Sequence, residues 1–487
     1  MQVEPKIIEI KNLQFENVLA GNTVSFHGRS MEPFLQDGDE LKIAPVAWEA
    51  IRLGDIVTFA LEDKFPTLRV VEKRGNKMWL IGDNWPRRKF VAWREHLLGK
   101  VIARIRDGKT LTSDTATWRN NNRYRLWRYQ AGWVYSRLRQ LPQRIEGKLA
   151  RRRAQRFERP PNIQVNVSSN CNLKCRMCPY LSIHQSPHHL NFMSSDTFEQ
   201  ILPLVKEINA IHLSGSGEPM FHQQLFDFVA RVREEAPTAS IDMTSNGTLL
   251  TEARARKLIQ HQVTKLHVSF DGLPERVESI RIGVNGRKVM DNIRRLTRLK
   301  KEMGSQYPIV QINYMTGYGT YWDLNKFIEL CHEVGVAEIQ MLEMQPATAE
   351  DVADNLLNGT GLDDGAALKT AVMLANHYAI KLHLPTTTQN ACYYPFNPHV
   401  GEDGEVYPCC YLDYDGRQLY SNGQEMQLPP ITYGNINNNA FDEIWDNPNF
   451  IALRERNSQG KFDDICQACY DVRWETAVRV GQILGTG

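Results

Sequence analysis

The chain has 487 residues, of which 42% are hydrophobic and 23% charged, and its formal net charge is +2. This length predicts about three domains, and the composition is that of a globular protein and not of a disordered or fibrous chain. The sequence has no apolar run of about 18 residues, and its first residues do not resemble a secretory signal, so we expect a cytoplasmic protein.

The first part of the chain, residues 1–112, contains short β-forming stretches separated by Gly, Pro and Asp. This punctuation predicts a small all-β domain. The predicted strands are Thr23–Phe26, Glu40–Ile43, Asp55–Ala60, Leu68–Val71, Met78–Ile81 and Gly99–Ile105.

Several short motifs follow one another in this part of the chain. They are Gly28-Arg29-Ser30-Met31-Glu32-Pro33, Asp37-Gly38-Asp39, Gly54-Asp55-Ile56-Val57, Leu68-Arg69-Val70-Val71, Gly82-Asp83-Asn84 and Leu98-Gly99-Lys100-Val101. In this order, residues 20–106 resemble the catalytic domain of type I signal peptidases and related self-cleaving repressors.

The resemblance implies that Ser30 occupies the position of the nucleophile and that a lysine or histidine base precedes Arg69. Leu68 stands at that position and cannot accept a proton, and neither Lys64 nor Lys73 matches it. We therefore predict a peptide-binding or docking module without peptidase activity. The alternative is a processing serine peptidase that uses Ser30.

Residues 113–160 form a basic segment. From Trp118 to Pro160 there are thirteen Lys or Arg and two Glu, a net charge of +11, together with Trp127, Trp133 and the run Arg151-Arg152-Arg153. We predict a solvated helical linker. The alternative is contact with an anionic surface, either an acidic partner or the inner face of the membrane. We expect no nucleic-acid partner.

Residues 161–345 alternate between strand and helix patterns, which predicts a parallel sheet that is curved or closed. The predicted strands are Ile163–Val167, Ala210–Ser214, Ser240–Thr244, Lys265–Phe270, Val310–Tyr314 and Glu338–Leu342. A connecting helical region follows at 346–389, and a small Cys-rich domain at 390–487.

Three cysteines, Cys171, Cys175 and Cys178, follow the first of these strands with the spacing C-x3-C-x2-C. Three thiolates can hold a four-iron cluster and leave one iron open to a small molecule. The alternative is structural zinc, which usually has four protein ligands.

This stretch resembles the signature of the radical S-adenosylmethionine (SAM) enzymes, and the resemblance covers residues 163–345. It implies a partial (β/α)6 barrel, a 4Fe–4S cluster whose open iron binds SAM, and an electron donor such as a flavodoxin or ferredoxin. Reductive cleavage of SAM in that family yields a 5′-deoxyadenosyl radical, which removes a hydrogen atom from the substrate.

Further positions resemble the SAM contacts of this family, and most of them follow the second, third and fourth predicted strands. They are Met177, Gly215, Gly217, Glu218, Ser245, Asn246, Ser269, Asp271 and Arg281. The resemblance places Met177 near adenine, the Gly-Glu-Pro loop at the amino group, and Arg281 at the carboxylate of SAM. Ligands of parallel α/β barrels lie at the same ends of the strands.

A second group of cysteines lies in the C-terminal region: Cys392, Cys409, Cys410, Cys466 and Cys469. The region resembles a short SPASM domain, which carries auxiliary iron–sulfur clusters, and four thiolates suffice for one 4Fe–4S cluster. We predict Cys392, Cys409, Cys466 and Cys469 as its ligands, with Cys410 as the alternative to Cys409. A four-thiolate zinc ribbon is the other interpretation.

Two other features have structural interpretations. Cys331 shares a helical face with apolar residues and is predicted to be buried, although a hydrogen-atom donor is the functional alternative. His184, His188 and His189 are predicted to lie in a polar loop, with contact to the substrate as the alternative.

The combined hypothesis is a radical SAM enzyme that epimerises, crosslinks or oxidises a peptide or natural product. An alternative enzyme is a dehydrogenase or epimerase of a sugar or aminocyclitol. The alternative that is not an enzyme is a scaffold protein with zinc at both cysteine sites.

Overall fold

The computed structural model describes residues 23–61, 64–84, 89–130, 159–178, 180, 191–316, 323–343, 364–385, 392, 394–414, 417–421 and 423–484. The chain divides into two compact units. The first comprises Met1–Lys148 with Lys369–Tyr378, and the second comprises Leu149–Leu368 with Ala379–Gly487. Within the described part, none of the helices has the length and apolar character needed to cross a membrane.

Eight strands of the first unit form one antiparallel sheet in the order β1-β2-β7-β3-β4-β5-β6, with β8 paired to β7. They are β1 (Thr23–Ser25), β2 (Glu40–Ala44), β3 (Ile56–Phe59), β4 (Thr67–Arg74), β5 (Lys77–Ile81), β6 (Lys89–Trp93), β7 (Leu97–Arg106) and β8 (Lys109–Thr112). Short 3-10 helices cover Trp48–Ala50 and Arg94–His96. All six predicted strands are present. The sequence did not predict β6 and β8, which are short and start with lysine.

Three of the motifs of the first unit meet at one buried ion pair. Arg69 donates from Nε and Nη2 to the two carboxylate oxygens of Asp83, at 2.7 Å each, and from Nη1 to the carbonyl of Gly54 at 2.9 Å. Both side chains of the pair are fully buried. Two parallel hydrogen bonds give such a pair a fixed geometry, so these motifs have a structural role in the sheet.

The basic segment begins with a helix, residues 116–130, that belongs to the first unit. Trp118 is buried and packs edge-on against Phe34 with ring centroids 4.9 Å apart, whereas Trp127 is 64% exposed. The prediction of a solvated linker is therefore wrong at Trp118, because an apolar contact and not the surrounding charge decides its position. Residues 131–158, with Trp133 and Arg151–Arg153, lie outside the described residues.

The second unit is built on a sheet in the order β17-β16-β15-β13-β12-β11-β9-β18-β19. Its strands are β9 (Asn162–Val165), β11 (Ala210–Leu213), β12 (Ser240–Ser245), β13 (Lys265–Ser269), β15 (Ile309–Thr316), β16 (Glu338–Glu343), β17 (Lys381–His383), β18 (His399–Val400) and β19 (Val406–Tyr407). All neighbours are parallel except β18 and β19. The six predicted strands are confirmed as adjacent parallel strands in chain order.

Helices connect these strands and bury their apolar faces against the sheet. They are Ser195–Glu199, Leu202–Val205, Leu225–Glu235, Glu252–Gln260, Pro274–Ile280, Gly286–Glu302 and Leu324–Val334, with 3-10 helices at Pro219–Phe221 and Tyr394–Phe396. A further helix, Asp364–Tyr378, follows β16 in the chain, and its residues Lys369–Tyr378 belong to the first unit. In β11, Ile211 and Leu213 are fully buried while Ala210 and His212 are half-buried. This alternation gives the sheet one apolar face toward the helices and one more polar face.

The C-terminal region adds a β-hairpin and three helices to the second unit. The hairpin consists of β20 (Arg417–Ser421) and β21 (Gln424–Leu428), and the helices are Phe441–Trp445, Pro448–Ser458 and Asp464–Leu484. The strand β18 joins the parallel sheet beside β9. The start of this region therefore lies beside β9, the strand that precedes the first cysteine motif.

Candidate functional site

The loops that follow β9, β11 and β12 meet at the carboxyl edge of the parallel sheet. Gly217 lies so close to the loop after β9 that a Cβ atom would stand 2.4 Å from the carbonyl oxygens of Ser168 and Asn170. The backbone N–H of Glu218 donates to the Asn170 carbonyl at 2.8 Å. Only glycine permits this approach, so the Gly-Glu-Pro loop and the cysteine loop are held against each other.

The three cysteines of the first motif lie together in the loop after β9. Cys175 belongs to a two-residue strand, β10 (Lys174–Cys175), which pairs with β14 (Arg281–Ile282). Burial, together with a smaller contribution from neighbouring thiols, raises the pKa of Cys171 to about 11 and that of Cys178 to about 12. These groups stay protonated at neutral pH unless a cation binds them.

A buried ion pair lies beside Cys175. Arg281 donates from Nε to Asp271 Oδ2 at 2.7 Å, and its Nη1 lies 3.9 Å from Cys175 Sγ. Asp271 is fully buried, and its other oxygen accepts a hydrogen bond from the backbone of Met315 at 2.8 Å. Family resemblance predicted that Arg281 binds the SAM carboxylate. In the structure its direct hydrogen-bond partner is Asp271.

Glu218 joins the loop after β11 to the loop after β12. Its Oε1 accepts from Ser245 Oγ at 2.8 Å and from the Met220 backbone at 3.1 Å, and its Oε2 accepts from the Asn246 backbone at 2.7 Å. Burial raises the pKa of Glu218, while these donors favour the carboxylate. The side chain thus fixes the loops.

Asn172 and Thr248 were not predicted from the sequence to be site residues, yet both form hydrogen bonds within this group of loops. Asn246 Nδ2 donates to Asn172 Oδ1 at 3.0 Å and lies 4.0 Å from Cys171 Sγ, and Asn172 Nδ2 donates to Thr248 Oγ1 at 2.9 Å. A signal was available in the sequence, because Asn172 lies inside the cysteine motif and Thr248 directly follows Ser245-Asn246-Gly247.

The other predicted residues have different surroundings. Met177 and Ser269 are half-buried, and Gly215 lies against the Asn166 side chain. Cys331 is fully buried as predicted, and burial raises its pKa well above the ordinary value. His184, His188 and His189 lie outside the described residues.

The second cysteine group gathers in the C-terminal region. Cys466 and Cys469 are three residues apart on the helix Asp464–Leu484 and therefore share a face. Cys409 and Cys469 pack against one small apolar cluster, while Cys466 packs against another that contains Trp445. Burial raises the pKa of both Cys409 and Cys466, and the thiols of Cys392 and Cys469 raise it to a smaller extent, so these four groups lie within electrostatic range.

Cys409 and its neighbour Cys410 have different electrostatic surroundings. Burial raises the pKa of both thiols, and for Cys409 the neighbouring cysteines, Cys410, Cys392 and Cys469, raise it further. For Cys410, Arg417 lowers the pKa and Asp413 raises it. Each of these two effects is larger than the effect of Cys469 on the same thiol. Cys409 also packs with Cys469 against the same apolar cluster.

Both groups suit an iron–sulfur cluster in their donor chemistry. None of the nine cysteines, all of which are described, forms a disulfide. In the described ranges, no three Cys, His, Asp or Glu side chains are arranged to hold a single metal ion. A cluster differs from a single ion because each thiolate binds a different iron, which permits a wider separation of the sulfur atoms.

Comparison with protein families agrees with this chemistry. Residues 165–331 match the radical SAM superfamily, and residues 392–470 match the SPASM iron–sulfur cluster-binding domain. The chain is a radical SAM enzyme. The cofactors of this radical SAM enzyme are SAM, a 4Fe–4S cluster that binds SAM, and auxiliary iron–sulfur cluster content in the SPASM domain. Both sequence resemblances of the second unit are confirmed, whereas the likeness of the first unit to signal peptidases stays a prediction.

Several known proteins are similar to this radical SAM enzyme. It is 25% identical over 301 residues to the tungsten-containing aldehyde ferredoxin oxidoreductase cofactor-modifying protein of Pyrococcus furiosus, covering 60% of this chain and 82% of that protein. It is 33% identical over 125 residues to the GTP 3′,8-cyclase of Nautilia profundicola, covering 25% of this chain and only 39% of that protein. Among solved structures, anSMEcpe with bound AdoMet and Cp18Cys peptide is 19% identical with a TM-score of 0.45, covering 65% of this chain and 87% of that chain.

The first unit contains a separate cavity of about 480 Å³, and Ser30, Leu68, Lys64 and His377 are among the residues that line it. Lys64 Nζ is hydrogen-bonded to the hydroxyl of Tyr378. Lys73 is not among the lining residues, and it donates to the carbonyls of Trp48 and Ile51. Ser30 thus shares the cavity with Leu68, which stands where the sequence resemblance predicts a base.

We expect the protein not to cleave peptides with Ser30, because Leu68 cannot remove the hydroxyl proton and the Lys64 amine is hydrogen-bonded to Tyr378. The measurement is labelling by a serine-reactive probe, compared between the wild type and Ser30→Ala. Labelling of the wild type alone would contradict this prediction. Its loss in Lys64→Ala would then identify Lys64 as the base.

Proposed function

We propose that this enzyme modifies a peptide or small natural product by removing a hydrogen atom from it. The observation that carries the proposal is the meeting of the Cys171–Cys178 loop with the loops after β11 and β12 at one edge of the sheet. Two further features support it: the buried polar groups that hold these loops, and the second cysteine group in the same unit. The reaction class is epimerisation, crosslinking or oxidation.

In this proposal Cys171, Cys175 and Cys178 hold the first cluster, and Arg281 lies beside one of its ligands. The positive charge of Arg281 favours the thiolate of Cys175, and Asp271 fixes the direction of the guanidinium. The Gly-Glu-Pro loop, residues 215–219, is called the SAM loop here. The hydrogen bonds of Glu218 keep this loop in place before any ligand binds, so little ordering is left to SAM binding itself. When bound, the cluster and SAM supply the reductive cleavage and the hydrogen-atom abstraction.

Two features support the substrate class. The likeness of the first unit to signal peptidases favours a peptide, and the name of the Pyrococcus relative, a cofactor-modifying protein, favours a small natural product. Anaerobic incubation with SAM, a reductant and candidate substrates, followed by mass spectrometry, tests the proposal. We expect 5′-deoxyadenosine together with a mass change in a peptide or natural product. A product from a sugar or aminocyclitol alone would support the alternative enzyme.

We propose Cys392, Cys409, Cys466 and Cys469 as ligands of one auxiliary 4Fe–4S cluster. Because Cys409 packs with Cys469 against one apolar cluster, Cys409→Ala should lower the iron content from about eight to about four per chain. Cys410→Ala is the matched control and should keep about eight. Iron analysis after anaerobic reconstitution measures both, and the reverse result would assign Cys410 as the ligand.

A further inference from the structure

The start of the C-terminal region reaches back to the loops of the proposed SAM site. Strand β18 pairs with β9, and the turn after it carries Glu402. Glu402 Oε2 accepts a hydrogen bond from Asn166 Nδ2 at 2.6 Å, although the two residues are 236 positions apart in the chain. Asn166 immediately follows β9, so this contact lies at the carboxyl edge of the sheet.

Asn166 transmits this contact to the SAM loop. Its Nδ2 also donates to Ser216 Oγ at 2.9 Å, so the two hydrogens of one amide group are shared between Glu402 and Ser216. Gly215 leaves no room between the loop and Asn166, because a Cβ atom there would stand 2.2 Å from Asn166 Oδ1. Asn166 and Ser216 are both buried, which makes the loss of either partner costly.

Glu402 also touches the loop that carries the first cysteines. The side chain of Ser169, two residues before Cys171, is hydrogen-bonded to the Glu402 carboxylate. Glu402 therefore contacts the cysteine loop directly and the SAM loop through Asn166. Glu402 belongs to the stretch that matches the SPASM domain and not to the stretch that matches the radical SAM family.

A second buried contact joins the same two regions. The Tyr180 hydroxyl, two residues after Cys178, lies 2.8 Å from the Cys410 carbonyl oxygen and 2.8 Å from Asp413 Oδ2. The guanidinium of Arg417 lies over the Tyr180 ring, 5.0 Å from its centroid. The C-terminal region thus holds the first cysteine loop from both sides of the motif.

We infer that Glu402 is a positioning residue for SAM: through Asn166 and Ser169 it fixes the two loops that bind this cofactor. The inference rests on the proposed SAM site. Since Glu402 makes no contact with a reacting atom in this account, its loss should weaken SAM binding without removing either cluster. The turnover number at saturating SAM should change little, while the KM for SAM should rise.

The test compares Glu402→Ala with Glu425→Ala, an exposed glutamate on β21 of the same region. Anaerobic equilibrium dialysis with SAM should show an approximately tenfold higher Kd for Glu402→Ala, as expected for one lost hydrogen bond to a buried partner. Glu425→Ala should bind as the wild type does. Glu402→Gln keeps an oxygen that accepts from Asn166 and should recover most of the affinity. Iron analysis should give about eight irons in every variant.

An unchanged SAM Kd in Glu402→Ala with both clusters present would overturn the inference. If Glu402→Ala loses iron, Ser216→Ala replaces it, because it removes only the hydroxyl at the loop end of the connection. Wild-type affinity in that variant would equally overturn the inference. Absence of SAM binding in the wild type would contradict the proposed function itself, and the inference with it.

Discussion

Replacing Cys171, Cys175 and Cys178 together by Ala is expected to lower the iron content from about eight to about four per chain and to abolish SAM cleavage. The physical reason is that these thiols lie together in the loop after β9, while the second cysteine group has its own surroundings near the C-terminus. Iron analysis and quantification of 5′-deoxyadenosine after anaerobic reconstitution measure the two effects.

The matched control is Cys331→Ala. This thiol is fully buried in the helix Leu324–Val334 and lies among apolar residues, so its replacement should leave iron content and SAM cleavage unchanged. Full iron content and SAM cleavage in the triple variant would reject the ligand assignment. Loss of all iron would show instead that the auxiliary cluster depends on the first.

Asp271→Ala is expected to lower the free energy of unfolding by about 3–5 kcal/mol, because it leaves the buried guanidinium of Arg281 without its partner. The Asp271–Arg281 pair has side chains that are only 1% and 11% exposed, and its hydrogen bond is 2.7 Å long. Urea denaturation followed by circular dichroism measures the change. We also expect weaker retention of the first cluster, since Arg281 lies beside Cys175.

Glu275→Ala provides the control for this effect. Glu275 forms an ion pair of the same length with Arg287, but both side chains are exposed to solvent. Surface pairs of this kind contribute little, so the variant should unfold as the wild type does. Equal stability of Asp271→Ala and Glu275→Ala would mean that the buried pair has no role in holding the site.

The parts of the fold that depend on local pattern could be predicted from the sequence. The six parallel strands were recognisable because short apolar segments alternate along the chain with helix patterns. The first cysteine motif was recognisable because its three cysteines lie within eight residues. The burial of Trp118 was not predictable, because the surrounding arginines dominate the local composition while the contact to Phe34 depends on tertiary packing.

Contacts between distant residues were beyond the reach of sequence patterns. Glu402 occurs in an ordinary turn sequence, and only the pairing of β18 with β9 brings it to Asn166. Likewise, the sequence assigned Arg281 to a SAM carboxylate from family resemblance, but the partner that holds its side chain is Asp271. In both cases the role of a buried polar group depends on its hydrogen-bond partner.

The most direct measurement for the central claim is electron paramagnetic resonance of the reduced, reconstituted protein with and without SAM. If SAM binds the open iron of the cluster held by Cys171, Cys175 and Cys178, its addition should change the signal of that cluster and leave the auxiliary signal unchanged. The triple Ala variant should show only the auxiliary signal, insensitive to SAM. A wild-type spectrum that does not respond to SAM would contradict the account.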